Sequence, residues 1–331
     1  MAEIVGGICV SHAPGWLGWP DAPPAEQRAS MARFTQEVVD YLDEIRPDVI
    51  IAVLDDHFEN LYRNLMPTFG IGIANAHAGP ADYWLEALGL KEKIAVPSDP
   101  VLARELLAHL LSDGFDIARM GAIEYGNNLI VPWHFICPGN DIPVIPVFVN
   151  VFTPPLPTVA RAFALGEALS RAVRKSAFGG RVAFAGTGGL SHWPPVWMEQ
   201  SDGEDAFLER MRRFQTDGRP ILEADPNLMV DLAAYEIEMA RTSNQPLVNA
   251  QWDRDFLAAL GRGDTEAVKA YAYDDVEREA GHGGHEILNW AAVMGAMGGR
   301  PARIVGYEAV TEWICGMAFA TYPTANTDQE G

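Results

Sequence analysis

Cysteine, basic charge and long apolar runs are all scarce in this 331-residue chain, and each shortage excludes something. The three cysteines, Cys9, Cys137 and Cys315, are odd in number, far apart and set in apolar runs such as GGICV and EWICGMAF. They cannot build a disulfide framework and read as buried thiols in a reducing compartment. Lys and Arg number 24 against 45 Asp and Glu, a net charge of −21. A surface that acidic does not hold phosphate backbones by counterion release and repels anionic membranes, so nucleic acid is excluded as a partner. No window reaches the ~18 to 20 uninterrupted apolar residues of a membrane span, and the N-terminus MAEIVGGICVSHAP lacks the basic segment of a signal peptide. Together these absences predict a soluble, cytoplasmic protein.

What is present is apolar bulk, 48% of residues against 21% charged, enough for a substantial core. Short β-branched runs ending in turn residues predict strands at 4–11, 48–55, 69–74, 143–151, 181–186 and 302–310. Helical patterns occupy about 25–45, 100–113, 158–176, 203–215, 227–242, 253–261, 265–277 and 285–297. The helix at 100–113 carries its own punctuation: Ser98 or Asp99 as N-cap, Pro100 in the first turn, and Gly114 beyond the end. Strands hydrophobic on both faces require helical cover, so the alternation predicts a three-layer α/β/α sandwich with a largely parallel sheet. Residues 200–300 depart from it as a helical extension without a strand. No linker or repeat divides the chain, which reads as one domain over 1–331 with a short polar tail, TANTDQEG.

The familiar catalytic signatures are missing. There is no G-x-S-x-G elbow and no G-x-G-x-x-G after a strand, and the GTGG turn at 186–189 lacks the Lys-Ser/Thr of a phosphate loop. GHGGHE at 281–286 does not space its histidines as a zinc-protease helix does. Attention falls on three of the eight histidines. His12 follows the first strand, His57 the second and His192 the fifth, and the carboxyl ends of parallel strands form the crevice where such sheets bind ligands. A lone histidine at a strand end is ordinarily a satisfied side chain, and Glu286 early in a helix is favoured there by the helix dipole. Converged, the same residues would be two or three imidazoles and a carboxylate, the donor set of a facial non-haem iron site. His109 belongs to an amphipathic helix, and His77 and His134 sit in loop-like stretches without a role. Trp133, Trp193, Trp197 and Trp290 are either core or the walls of a pocket for a flat ring.

SHAPGW, DDHFENLYRNLMPTFGIGIA, GTGGLSHWPP and GHGGHEILNWAAVMGAMGG, in that order, resemble the class III extradiol ring-cleavage dioxygenases of LigB type. The resemblance implies a mononuclear Fe(II) enzyme that opens a small aromatic diol with O2. It makes His12, His57 and Glu286 the metal ligands and His192 the acid/base, with Asp56 orienting His57; His285 acquires no role. Many members carry an Asp-His-Gly motif whose histidine assists the chemistry, and here Tyr125 stands at that position. The implied substrate is a carboxylated, lignin-derived catechol of the protocatechuate, gallate or methylgallate kind, which calls for a cation or hydroxyl donors in the pocket. Some members cover the site with a small partner subunit; here the 200–280 helices or a second copy in a homodimer would serve. Two rivals share the residues: a Zn-dependent hydrolase and a non-catalytic interaction module.

Overall fold

The computed structural model describes residues 2–195, 205–245 and 247–323. Trp197, the first residues of the helix expected at 203–215 and the TANTDQEG tail lie outside the described residues. The strands are β1 (Glu3–Val10), β2 (Val49–Leu54), β3 (Phe69–Gly72), β4 (Ala76–Gly79), β5 (Ile94–Pro97), β6 (Ala118–Met120), β7 (Val144–Val149), β8 (Arg181–Thr187), β9 (Arg303–Val310) and β10 (Cys315–Tyr322). The helices of the first half are α1 (Gly15–Gly18), α2 (Ala25–Ile45), α3 (Pro100–Ser112), α4 (Asn127–Ile136) and α5 (Val159–Lys175). Those of the second half are α6 (Ala206–Asp217), α7 (Arg219–Ala224), α8 (Leu228–Thr242), α9 (Ala250–Arg262), α10 (Thr265–Lys269), α11 (Tyr273–Ala280) and α12 (Ile287–Ala296).

Eight strands form one sheet in the order β6-β3-β7-β2-β8-β1-β10-β9. Its centre is parallel, β7 to β2 to β8 to β1, as the two-sided burial of these strands requires. The edges are not. β3 runs antiparallel to β7, and β10 antiparallel to both β1 and β9. β3 is parallel to its outer neighbour β6, so the sheet is largely parallel as expected, but β10 is a strand the sequence pattern does not mark. Its eight residues are all buried, so no polar alternation marks them as a strand.

Helices α5 and α12 pack against each other over one face of the sheet, while α2 and α4 contact the other. A side chain on Gly166 would strike the Ala292 carbonyl and one on Gly295 the Phe163 carbonyl, so α5 and α12 approach closely only because both positions are glycine. The loop-like stretch around His134 is instead the end of α4, a helix that carries Pro132 inside it, where the ring removes a helical hydrogen bond. His134 lies in its last turn, exposed, and not in a loop. His77 is likewise on a strand, β4, which pairs with β5 in a separate two-stranded sheet. The cap of α3 is as the sequence predicts, Asp99 accepting from the amides of Val101 and Leu102. The helix expected at 265–277 is broken into α10 and α11, and Glu286 closes a 3-10 turn, His282–Glu286, ahead of α12.

One crossing holds the N-terminal strand end in place. The Ser11 amide donates to the Ala318 carbonyl, and the Ser11 hydroxyl donates to the Gly316 carbonyl and accepts from the Ala318 amide. β10 therefore fixes the backbone that leads directly to His12.

Candidate active site

Because β2, β8 and β1 are adjacent, their carboxyl ends are neighbours, and His57, His192 and His12 follow them in that order across the sheet. Glu286 reaches the same place from the turn before α12. His12 Nε2 lies 3.3 Å from Glu286 Oε2. His57 Nε2 is 3.5 Å and His192 Nε2 3.6 Å from Glu286 Oε1. The rings of His12 and His57 meet edge to face with centroids 5.1 Å apart. The backbone amide of Gly189 donates to Glu286 Oε2, and a side chain on Gly188 would collide with the Glu286 Cβ, so the glycine turn admits the carboxylate.

Sequence reasoning missed one member of this group. The carboxylate beside His57 is Asp55, with Oδ2 3.1 Å from His57 Nε2. Asp56 does not orient that ring. Its oxygens accept from the Asn60 and Leu61 amides and the Asn60 side chain, which cap the turn after β2. Asp55 Oδ1 is held by Asn289 Nδ2 at 2.9 Å, and the same amide donates to the Thr187 carbonyl at 2.8 Å. The only sequence signal was the Asp-Asp pair itself. Which of two adjacent residues faces the crevice depends on strand register, and a shift of one residue swaps them.

One donor atom each from His12, Asp55, His57 and Glu286 falls within 4.8 Å of the others. Both ring nitrogens of His12, Nδ1 of His57, Oδ2 of Asp55 and Oε1 of Glu286 are buried without a hydrogen-bond partner. Buried polar atoms in such number are costly unless something satisfies them, and two imidazoles with two carboxylates suit a divalent cation. The electrostatics agree. Burial disfavours charge on His57, yet Asp55 and Glu286 outweigh it and raise its pKa to about 10. Burial likewise opposes ionisation of Glu286, and the charges of His12 and His192 override it, holding the carboxyl well below its ordinary range. Asp55 is pushed up by burial and then by the charge of Glu286. Such strain between like charges is what a bound dication relieves.

His192 is oriented by its own turn. Nδ1 meets the Leu190 carbonyl at 2.8 Å, which fixes the proton there and leaves Nε2 facing the group. The turn is pinned in its turn by Asp253, buried, which accepts from the Ser191 amide and hydroxyl and from the Tyr307 hydroxyl. The unassigned GHGGHE stretch packs against it: the His192 amide donates to the Ala280 carbonyl and the Gly283 amide to the His192 carbonyl. A side chain on Gly283 would enter the His192 imidazole. Glu277 bridges His282 Nδ1 at 3.3 Å and His285 Nε2 at 3.1 Å, clamping the turn that carries Glu286. His285 thus belongs to the scaffold of the turn.

Tyr125 is not brought to this place. It is fully buried, pairs its backbone with Ala78 and Ala81, and packs edge to face on His77. Asn127, two residues on, faces the cavity instead and donates to the His12 carbonyl at 3.1 Å. His77 is structural: its Nδ1 accepts from the Ile123 amide, and burial lowers its pKa to about 4.

The cavity over the group holds about 720 Å³ of empty space, its mouth included. Its aromatic walls are Phe58, Trp84, Phe152, Phe214 and Trp313, whereas Trp133 and Trp290 are core. Met211, Phe214 and Gln215 from α6 and Met229, Leu232 and Glu236 from α8 close it from above the sheet edge. The helical segment beyond residue 200 is therefore a wall of the site.

A buried histidine and carboxylate group at the sheet end, under an apolar roof, could hold a metal ion beside a bound organic molecule. The family model described as the catalytic LigB subunit of aromatic ring-opening dioxygenase matches residues 6–319, and the chain belongs to that family. It is 32% identical over 320 residues to a 2,3-dihydroxyphenylpropionate/2,3-dihydroxicinnamic acid 1,2-dioxygenase 2 of Dechloromonas aromatica (strain RCB), covering 93% of this chain and 94% of that one. The 1,2-dioxygenases of the same substrate name from Cupriavidus necator and Rhodococcus globerulus are each 31% identical, over 314 and 322 residues. Those matches cover 94% and 95% of this chain and 95% and 96% of the relatives. The chain is an extradiol-type, aromatic ring-cleaving dioxygenase.

Proposed function

We propose that His12, His57 and Glu286 hold a ferrous ion, with Asp55 braced against the His57 ring, and that the enzyme opens a catecholic ring beside its two hydroxyls. The observation that carries this reading is the set of buried, partnerless donor atoms gathered from adjacent strand ends and one turn. When bound, ferrous iron supplies the electron exchange that lets triplet dioxygen react with a closed-shell ring.

The chain's own residues do the rest. His192 Nε2 is unencumbered because Nδ1 is committed to Leu190, so it takes the second hydroxyl proton of the catechol and returns it later. The walls from α6 and α8 exclude bulk water and cover the site from within the chain, the office some relatives give to a partner subunit. The chain acts as one catalytic domain in the cytoplasm, where its three free, buried thiols stay reduced. Tyr125, buried behind the wall, supports the Ala78–Ala81 segment and takes no part in proton transfer.

Anaerobic reconstitution with Fe(II), metal analysis and a panel of catechols scored for the yellow ring-opened product test the reading together. Stoichiometric iron and oxygen-dependent yellow product are expected. Stoichiometric zinc with air-insensitive hydrolysis, or no metal bound at all, would overturn it.

A further inference from the structure

Two polar side chains of the cavity wall have no part in the chemistry above. Glu236, on α8, is 7% exposed, lines the cavity and has no hydrogen-bond partner among the described residues. Gln215, on α6, is fully buried and also lines it. Its Oε1 accepts from Arg63 Nε at 3.2 Å, which fixes the amide's orientation and leaves Nε2 without a partner. Around them the same two helices contribute only Met211, Phe214, Met229 and Leu232 to the cavity. A buried amide donor left unpaired is costly, so that donor and a carboxylate acceptor set in an apolar wall call for a ligand group that satisfies both.

We propose that Glu236 and Gln215 form a subsite for the ring substituent of the diol, and that the substituent is apolar along its length and ends in a neutral hydroxyl. A hydroxyl can donate to a carboxylate such as Glu236 and accept from an amide such as Gln215 Nε2, so one chemical group suits both. A terminal carboxylate cannot donate to Glu236 and meets it as a like charge. Among the described residues no Arg or Lys lines the cavity; the Arg63 guanidinium is bonded to Gln215 Oε1 from outside the lining, and the protein as a whole carries −21. Burial lifts the Glu236 carboxyl to about 7 while His192 and His57 draw it down, so it is an anion through the alkaline range where the discrimination is sharpest. The inference rests on the ring-opening reading and separates this chain from its curated relatives, whose printed substrate is a phenylpropionate. It also displaces the carboxylated catechol expected from the sequence.

The test compares kcat/KM at pH 8 for three catechols substituted beside the diol: 3-(3-hydroxypropyl)catechol, 3-propylcatechol and 2,3-dihydroxyphenylpropionate. The iron-loaded wild-type enzyme is expected to favour the hydroxypropyl compound over the phenylpropionate by at least tenfold. Glu236→Gln should cut that ratio at least tenfold. Gln215→Leu, which removes only the donor, should lower the hydroxypropyl compound relative to 3-propylcatechol. A wild-type preference for the phenylpropionate, or ratios unchanged in both variants while 3-propylcatechol is still opened, overturns the subsite alone. If no catechol is opened by iron-loaded wild type, the ring-opening reading fails and the subsite falls with it.

Discussion

His12 Nε2 lies 3.3 Å from Glu286 Oε2, both side chains are buried, and neither nitrogen of the histidine has a hydrogen-bond partner. The contact joins the first strand to a turn near the far end of the chain. On the proposed function the two are ligands of one ion.

The first prediction concerns that pair. His12→Ala and Glu286→Gln should each lower iron affinity at least tenfold, measured by anaerobic iron titration, with far-ultraviolet circular dichroism unchanged. Normal iron binding by either variant would remove that residue from the ligand set.

The second separates binding from chemistry at His192. His192→Gln should retain stoichiometric iron while kcat falls by roughly 10²–10⁴, the usual contribution of a positioned acid/base. Full turnover in that variant would strike His192 from the mechanism.

A third follows from the glycine beneath that ring. Gly283→Ala places a methyl group in the His192 imidazole, so kcat should fall at least tenfold with iron retained. Gly121→Ala, where a side chain meets open space, is the control and should behave as wild type. Equal activity in the two variants would show that the imidazole moves aside freely.

The fourth is a stability effect with a defined pH window. Burial raises the Glu277 carboxyl, but His282 and His285 outweigh it and bring it to about 2, below its free value of 4.5. A depressed folded-state value contributes stability above pH 4.5 that is lost as pH falls toward 2. Glu277→Gln should therefore cost roughly 2 kcal/mol at pH 7 in urea unfolding, after allowance for partial exposure. The gap between variant and wild type should narrow at pH 3.5; an equal gap at both values would exclude the ionic clamp.

Much of this was legible in the sequence where one local signal sufficed. Asp99 and Pro100 announced α3, and two-sided apolar runs announced the central strands. His12, His57 and His192 could be placed at strand ends because strand ends are local features. Their convergence was not local: it depends on β2, β8 and β1 being neighbours, and nothing in any one segment encodes that order. β10 escaped because burial on both faces erases alternation, and α4 because Pro132 masks a helix that tertiary packing supports. Asp55 was passed over for Asp56 because a one-residue register decides which carboxylate enters the crevice. Tyr125 was placed by motif position alone, and the backbone carries it behind the wall.

The hydroxyl of Ser11 is bonded to Gly316 and Ala318, residues that leave the ribosome some three hundred positions after it. The strand that seats His12 is thus made long after His12 itself. Until β10 has emerged and paired with β1, the backbone leading to His12 lacks these bonds. In the order of synthesis the bonds that brace His12 therefore come after Glu286, its contact across the site, has been made.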